Sequence, residues 1–268
     1  STTLAPVRVV DTRTTMRAAT TGSLILAAAL VAPCVRGASM DPGILSDYAL
    51  RFRGIKLLYG EAALGRFSRS HVAVVGLGGV GSWAAEAIAR TGFGTITLVD
   101  MDDACISNTN RQVHSVAGVV GQPKVEVMGR RIEDINPECD VRRIADWVTP
   151  ENADGFLDTA LPRIDAVIDC IGLPDDKSPL VDACVRRGIF VVTTGTPGDR
   201  RDPTAVQAID LAQVTTDPVL VRVRNKLRKT HGWPAEVEGQ RPSKAAFGVK
   251  AVSSTEEPEN EDPDDADT

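Results

Sequence analysis

With 268 residues, 43% of them hydrophobic, the chain has material for one sizeable core with short flanking segments, which excludes an assembly of several large domains. The net charge of −6 belongs to a tail: Glu256 to Thr268 holds eight Asp or Glu and no base, which leaves +2 upstream. Five cysteines (Cys34, Cys105, Cys139, Cys170, Cys184) without a Cys-x-x-Cys pair exclude a disulfide framework and a zinc site, and point to a reducing compartment.

Residues 1–40 carry Arg8, Arg13, Arg17 and Arg36, ten Ser or Thr, and Asp11 as the one acid. The apolar run Leu24 to Ala32 is far short of the ~20 residues a bilayer span needs, so no stable membrane span is expected. The composition fits a targeting segment or a non-functional leader ahead of Met40, and it predicts no part of the fold. The location expected is cytoplasmic, or mitochondrial if residues 1–40 target an organelle. A first helix is expected around Leu45 to Phe52. His71-Val-Ala-Val-Val, closed by glycine, reads as a buried parallel strand. Ser82 to Arg90 reads as a helix capped by Gly92, and Thr95 to Val99 as the next strand, completing a βαβ unit. The alternation continues through a helix at Lys124 to Ile135, a strand at Val141 to Ile144, and a helix starting at Thr149-Pro150. A strand from Ala166 to Ile168 ends at Asp169, followed by a helix at Leu180 to Arg187 and a strand at Ile189 to Thr193.

This is the pattern of an α/β, doubly wound Rossmann-like sheet, mostly parallel, in which ligands sit at the carboxyl ends of the strands. Those ends are Gly76, Asp100, Asp169 and Thr194. The expected organisation is an extension at 1–40, a nucleotide-binding domain at 41–233, and a C-terminal segment at 234–268 whose acidic tail has no apolar face to bury.

Gly76-Leu77-Gly78-Gly79-Val80-Gly81 is a G-x-G-x-x-G between strand and helix, where glycines admit phosphate to free N–H groups at a helix N-terminus. Asp100, ending the next strand, suits the two ribose hydroxyls. Asp100-Met101-Asp102-Asp103 then leads into Asn108-Thr109-Asn110-Arg111-Gln112. Hydride transfer has no use for a guanidinium beyond the ribose carboxylate. Attack of a carboxylate on an α-phosphate does, because it gathers negative charge and expels pyrophosphate. Arg111 and Lys124 are the candidate cations, with Arg53 a third. This disfavours a nicotinamide dehydrogenase.

Several strings together resemble the ubiquitin-activating-enzyme superfamily: Arg51-Phe52-Arg53-Gly54 with Leu58-Tyr59-Gly60, Val74 to Trp83, Asp100 to Asp103 with Asn108 to Gln112, and Ile135-Asn136-Pro137-Glu138-Cys139. Within it they are similar to the tRNA threonylcarbamoyladenosine dehydratase branch, over roughly Asp47 to Trp233. The resemblance implies ATP and magnesium, adenylation of the carboxylate of threonylcarbamoyladenosine in tRNA, and ring closure with net loss of water. It further implies a homodimer, with Arg53 reaching the neighbouring subunit's site, and sulfur-transfer partner proteins. Carried onto this chain, the candidate catalytic residues are Arg111, Lys124, Arg53 and Asp169. The candidate nucleotide-binding residues are Gly76, Gly78, Gly79, Gly81, Asp100, Asp102 and Asn108, together with Arg111 and Lys124.

The chain departs from that pattern in three places. Gly172 stands where the superfamily has the second carboxylate of Asp-x-x-Asp, so magnesium ligands are unassigned, with Asp169, Asp175 or Asp176 as the carboxylates near enough to serve. Thr196-Pro197-Gly198-Asp199-Arg200 replaces a glycine-rich turn. Ala251 stands where many members carry a cysteine, which excludes thiol chemistry there. Cys170 and Cys184 read as small core hydrophobes, and His114 as a surface or packing residue. The basic run Arg222 to Lys229 suits RNA phosphates if helical, and equally a solvated helix face. Two alternatives stay open: an adenylyltransferase acting on a sulfur-carrier protein, and a nucleotide-binding homologue that has lost catalysis.

Overall fold

The computed structural model describes residues 47–159, 164–234 and 246–257. The expected extension at 1–40 and most of the acidic tail lie outside them, as does Cys34. Three short helices open the described chain: α1 Asp47–Arg51, α2 Arg53–Tyr59 and α3 Glu61–Phe67. Then come β1 His71–Val75, α4 Gly81–Thr91, β2 Thr95–Val99, α5 Lys124–Ile135, β3 Asp140–Ile144, α6 Ala153–Thr159, β4 Ala166–Asp169, α7 Pro174–Arg186, β5 Phe190–Thr194, β6 Val206–Asp210, α8 Pro218–Thr230 and β7 Lys250–Ser254.

The strands form a seven-stranded sheet in the order β3-β2-β1-β4-β5-β7-β6, parallel throughout except where β6 runs antiparallel to β7. The expected doubly wound α/β sheet is therefore the fold. From the central β1 the chain builds outward to β3, then returns to β4 and builds the other way. The crevice at that reversal, between the ends of β1 and β4, is where such sheets take ligands.

Every residue of β1 is buried because helices cover both faces of the sheet. Side chains alternate along a strand, so Val72 and Val74 join Ile88, Met128 and Ile132 of α4 and α5 in one cluster. Ala73 and Val75 join Leu157, Leu180, Leu220 and Leu227 of α6, α7 and α8 in the other. Gly92 closes α4 with φ of 88°, a left-handed cap open to glycine at little cost.

The elements depart from expectation in four places. The expected first helix is α1, whereas α2, α3 and the strand β6 were not anticipated. α6 begins at Ala153 rather than at Thr149-Pro150, because Asn152 Oδ1 accepts the Thr149 N–H at 2.8 Å and holds those residues as a turn. α7 begins at Pro174, six residues early, with proline in its first turn and Asp175 and Asp176 beside the positive end of the dipole. Finally, the C-terminal segment does not stand apart from the nucleotide-binding domain. Its residues 250–254 are β7, inserted between β5 and β6. Among the described residues no helix is long and apolar enough to cross a membrane.

Candidate functional site

The glycine-rich turn is built around contacts that leave no room for side chains. A Cβ on Gly81 would sit 1.7 Å from the Gly76 carbonyl oxygen, and one on Gly76, at φ of 89°, would sit 2.7 Å from the Cys170 carbonyl oxygen. Gly78 faces open space, as an approaching phosphate requires. Asp100 braces the turn: one carboxylate oxygen accepts the Leu77 N–H at 2.6 Å and the other the Asp102 N–H at 2.9 Å. Each oxygen keeps acceptor capacity for a hydroxyl.

Lys124, the first residue of α5, brings its ammonium to the same place. The side chain is 6% exposed, 2.7 Å from Asp102 and 3.8 Å from Asp100. Its charge is thus held at the mouth of the crevice by two carboxylates. Arg111 approaches from the other side, with its aliphatic stem packed beneath the turn, 3.3 Å from where a Gly79 Cβ would stand. Its guanidinium donates to the Ser107 carbonyl and to Asn110 Oδ1, both at 2.9 Å.

Two side chains just past the glycines fix this arrangement. Trp83 Nε1 donates to the Arg111 carbonyl at 2.9 Å, and Ser82 Oγ accepts the Val113 N–H at 3.3 Å. The strings Gly-Val-Gly-Ser-Trp and Asn-Thr-Asn-Arg-Gln are therefore two halves of one constellation, and their joint occurrence in the sequence has a physical cause.

The carboxyl ends line a continuous groove. One end is a cleft of about 180 Å³ lined by Gly76, Gly78, Asp100, Asp102, Lys124, Trp147, Gly172 and Asp176. Across Gly78 and Gly172 it runs into a wider section of about 400 Å³ lined by Gly79, Val80, Arg111 and Thr194 to Gly198.

Several sequence candidates are not brought to this groove. Asp169 is wholly buried: its carboxylate pairs with the equally buried Lys177 at 3.0 Å, accepts the Thr193 hydroxyl at 2.7 Å and the Ile171 N–H at 3.1 Å, and does not line the cleft. Asn108 is also turned inward, its Oδ1 accepting the Cys105 N–H at 3.2 Å. Arg53 is exposed on α2 and lines neither section of the groove. Of the three carboxylates near Gly172, Asp175 is tied to Lys226 at 2.7 Å, which leaves Asp176 lining the cleft. Burial, and then the charge of Asp175, hold the Asp176 carboxyl above the usual range.

Cys184 and His114 are buried packing residues, whereas Cys170 is half-buried and lines the groove and Cys105 is exposed. Burial pushes the Cys170 and Cys184 thiols up to about 12. His114 is 2% exposed, and burial, followed by the charges of Lys124 and Arg131, lowers it to about 4. The basic helix is half spent on the protein itself: Lys226 on Asp175, and Arg228 over the Phe247 ring. Arg222 and Lys229 remain exposed on one face.

Sequence reasoning missed Trp147 and Lys177, whereas Asp176, named as one of three possible carboxylates, does line the cleft. A usable signal existed for Trp147, since the rule about strand ends applies to β3 as well, and Asp146-Trp147 lies just beyond it. Lys177 carries no signal, because a lysine in a helical first turn looks like a surface residue.

A ThiF family model matches residues 51–214. The chain is 46% identical over 214 residues to the tRNA threonylcarbamoyladenosine dehydratase of Escherichia coli (strain K12), covering 80% of this chain and 76% of that protein. It is 42% identical over 212 residues to the enzyme of the same name from Haemophilus influenzae, covering 79% and 78% respectively. Its structure superposes with a TM-score of 0.75 on the E. coli tRNA N6-threonylcarbamoyladenosine dehydratase crystallised with ATP, at 44% identity over 82% of this chain and 87% of that one.

Proposed function

This chain belongs to the ThiF family, and on that premise we propose that it is an ATP-dependent tRNA threonylcarbamoyladenosine dehydratase. The observation that carries the reading is the coupling of Arg111 to the glycine-rich turn through Gly79 and Trp83. It supports a role for Arg111 as the permanent cation facing an α-phosphate that gathers charge on that turn.

In this reading ATP lies along the groove, with its ribose at Asp100 and its phosphates over Gly76, Gly78, Gly79 and Gly81. The residues present fit it: the turn excludes side chains where phosphate must approach, and Gly78 leaves the space open. A substrate carboxylate oxygen bonds to the α-phosphorus as the bridge to the β-phosphate breaks, and pyrophosphate departs with the electron pair. Arg111 and Lys124 stabilise the charge that develops. For Lys124 this means exchanging Asp102 for phosphate oxygens, so Asp102 keeps the ammonium in place until nucleotide arrives. The activated carboxyl is then attacked by an atom of the same modification, AMP leaves with one carboxylate oxygen, and a ring closes with net loss of water. Holding both ends of the reaction in one nucleoside makes the second step intramolecular.

Asp169 acts at one remove, as a buried brace that positions Cys170 to Gly172 along the crevice. Magnesium would reach the site on the ATP phosphates and neutralise their charge, with Asp176 the carboxylate on hand at the cleft, since this ion needs one or two carboxylates beyond phosphate and water. Arg53 belongs to a homodimer in this reading, supported by its exposure on α2 beside Leu57 and Leu58, which are 77% and 69% exposed. Arg222 and Lys229 are assigned to the tRNA backbone. Sulfur-transfer partner proteins and a cytoplasmic location belong to the same reading, supported by the family alone.

The test is mass spectrometry of nucleosides from tRNA carrying threonylcarbamoyladenosine after incubation with the protein and ATP–magnesium. The expected outcome is an ATP-dependent loss of one water that disappears in Arg111→Ala. No mass change with ATP bound would instead identify a catalytically silent nucleotide binder, the reading that Gly172 motivates.

A further inference from the structure

The groove continues beyond the section where the phosphates are assigned. Past Val80, which lines both parts, it opens into a chamber of about 320 Å³ between the loop after β5 and the strands β6 and β7. Its interior is mostly apolar, from Val80, Pro197, Val206 and Val252, with the hydroxyl-bearing Thr196 and Ser254 among the walls.

The walls are held by side chains whose bonds are used within the protein. The Arg200 guanidinium donates to the carbonyls of Thr196 at 2.8 Å, Gly198 at 3.2 Å, Thr216 at 3.2 Å and Glu256 at 3.0 Å. Asp217, wholly buried, accepts the Thr196 N–H at 2.9 Å with one oxygen and the Leu220 N–H at 2.9 Å with the other. The Glu256 carboxylate accepts the backbone N–H groups of Arg201 and Asp202 at 3.0 and 2.9 Å. A Cβ on Gly195 would sit 2.1 Å from Asp217, so the loop is packed tightly onto its brace. A preformed pocket of this kind selects by shape and by the fate of a few polar groups, and it spends little on ordering when a ligand arrives.

We propose that this chamber is the subsite for the threonyl arm of the modified nucleoside, seating its methyl and hydroxyl groups while its carboxylate faces the glycine-rich turn across Val80. The inference rests on the dehydratase reading above and names what selects the acyl partner. A carboxylate from a glycine tail has no side chain to fill an apolar chamber, whereas a threonyl arm presents both an apolar and a hydroxyl group to one. Arg200, Asp217 and Glu256 are positioning residues for this subsite.

The test fills the chamber in the full chain. Val206, half-buried on the edge strand β6, is replaced in Val206→Trp, and Pro203, exposed at the rim, in Pro203→Trp. Each variant receives ATP–magnesium with tRNA bearing either the threonylcarbamoyl group or its glycyl counterpart, and nucleotide affinity is measured separately. The expected result is ATP affinity within about twofold of the unaltered protein, dehydration of the threonyl substrate reduced about 50-fold or more, and the glycyl substrate spared, as for a pocket that discriminates by side-chain volume. Threonyl turnover at the unaltered rate in both variants would overturn the proposal, as would equal loss of the two substrates. If Val206→Trp no longer binds ATP, Pro203→Trp decides alone. Failure of the unaltered protein to dehydrate either substrate strikes the dehydratase reading itself, which separates the two failures.

Discussion

The two flanks of the groove are made differently. On the β1–β2 flank, Gly76 to Trp83 and Asp100 to Lys124 supply nearly everything in two contiguous stretches, joined by the bond from Trp83 to Arg111. On the β4–β5 flank, the Asp169–Lys177 pair is buried, and the chamber walls are tied by bonds from Arg200 and Arg201 to Glu256, more than fifty residues along the chain. The first flank is local in sequence and partly open to solvent. The second is tied by long-range bonds and anchored on a buried ion pair, so damage to it should reach the fold before it reaches the chemistry.

The largest effect should come from Lys177→Ala, which strands a buried carboxylate between the Thr193 hydroxyl and the Ile171 N–H. Removing one partner of a buried ion pair costs about 3–5 kcal/mol, read as a lower urea midpoint, and Asp169→Asn in the same chain should recover part of it. A single change with no loss of stability would erase the distinction between the flanks.

Arg111→Ala is next and should behave in the opposite way. Loss of a preorganised charge at the transition state costs about 100- to 1,000-fold in turnover, measured by release of AMP, while the melting temperature stays near that of the unaltered protein. His114 sharpens the boundary between the flanks, since it is buried behind Lys124. Its folded value near 4 lies below the ordinary 6.5, so the unfolded chain binds the proton more readily between those values. Its contribution to stability is full above pH 6.5 and is lost as pH falls toward 4. Melting curves taken across that window should show the decline, and His114→Leu should flatten it.

The smallest effect should be that of Gly172→Asp. A Cβ there meets no atom within 4 Å, so stability should change by no more than about 0.5 kcal/mol. Turnover that stays equal or rises severalfold at limiting magnesium would fit a site whose second carboxylate is already supplied nearby. A large loss would show that Asp176 needs the space.

The contrast between the flanks also explains what could be read from the sequence. The βαβ unit, the glycine turn, Asp100, Arg111 and Lys124 were legible because their geometry follows from local spacing. Trp83 stood inside the diagnostic string, but its role in holding Arg111 required the fold. Asp169 was legible as a strand end, but its burial against Lys177 was not, because that depends on a helix that starts six residues before its hydrophobic pattern does. β6 and β7 were missed altogether: Val206 to Asp210 and Lys250 to Ser254 lie outside the strand–helix alternation, and their partnership crosses a long intervening stretch. The chamber inherits that illegibility, since its walls come from both strands.

The insertion of β7 between β5 and β6 sets a timetable for synthesis. Val206 to Asp210 leaves the ribosome well before Lys250 to Ser254, and among the described residues β6 pairs with β7 alone, so a nascent chain carries Val206, Ala208 and Ile209 on a strand that must wait for its mate. Long-range pairing of this kind forms late and leaves apolar edges open to association in the interval. A message cut short between the two strands would encode an intact glycine turn with Arg111 and Lys124, and a chamber without its β7 wall of Val252 to Ser254.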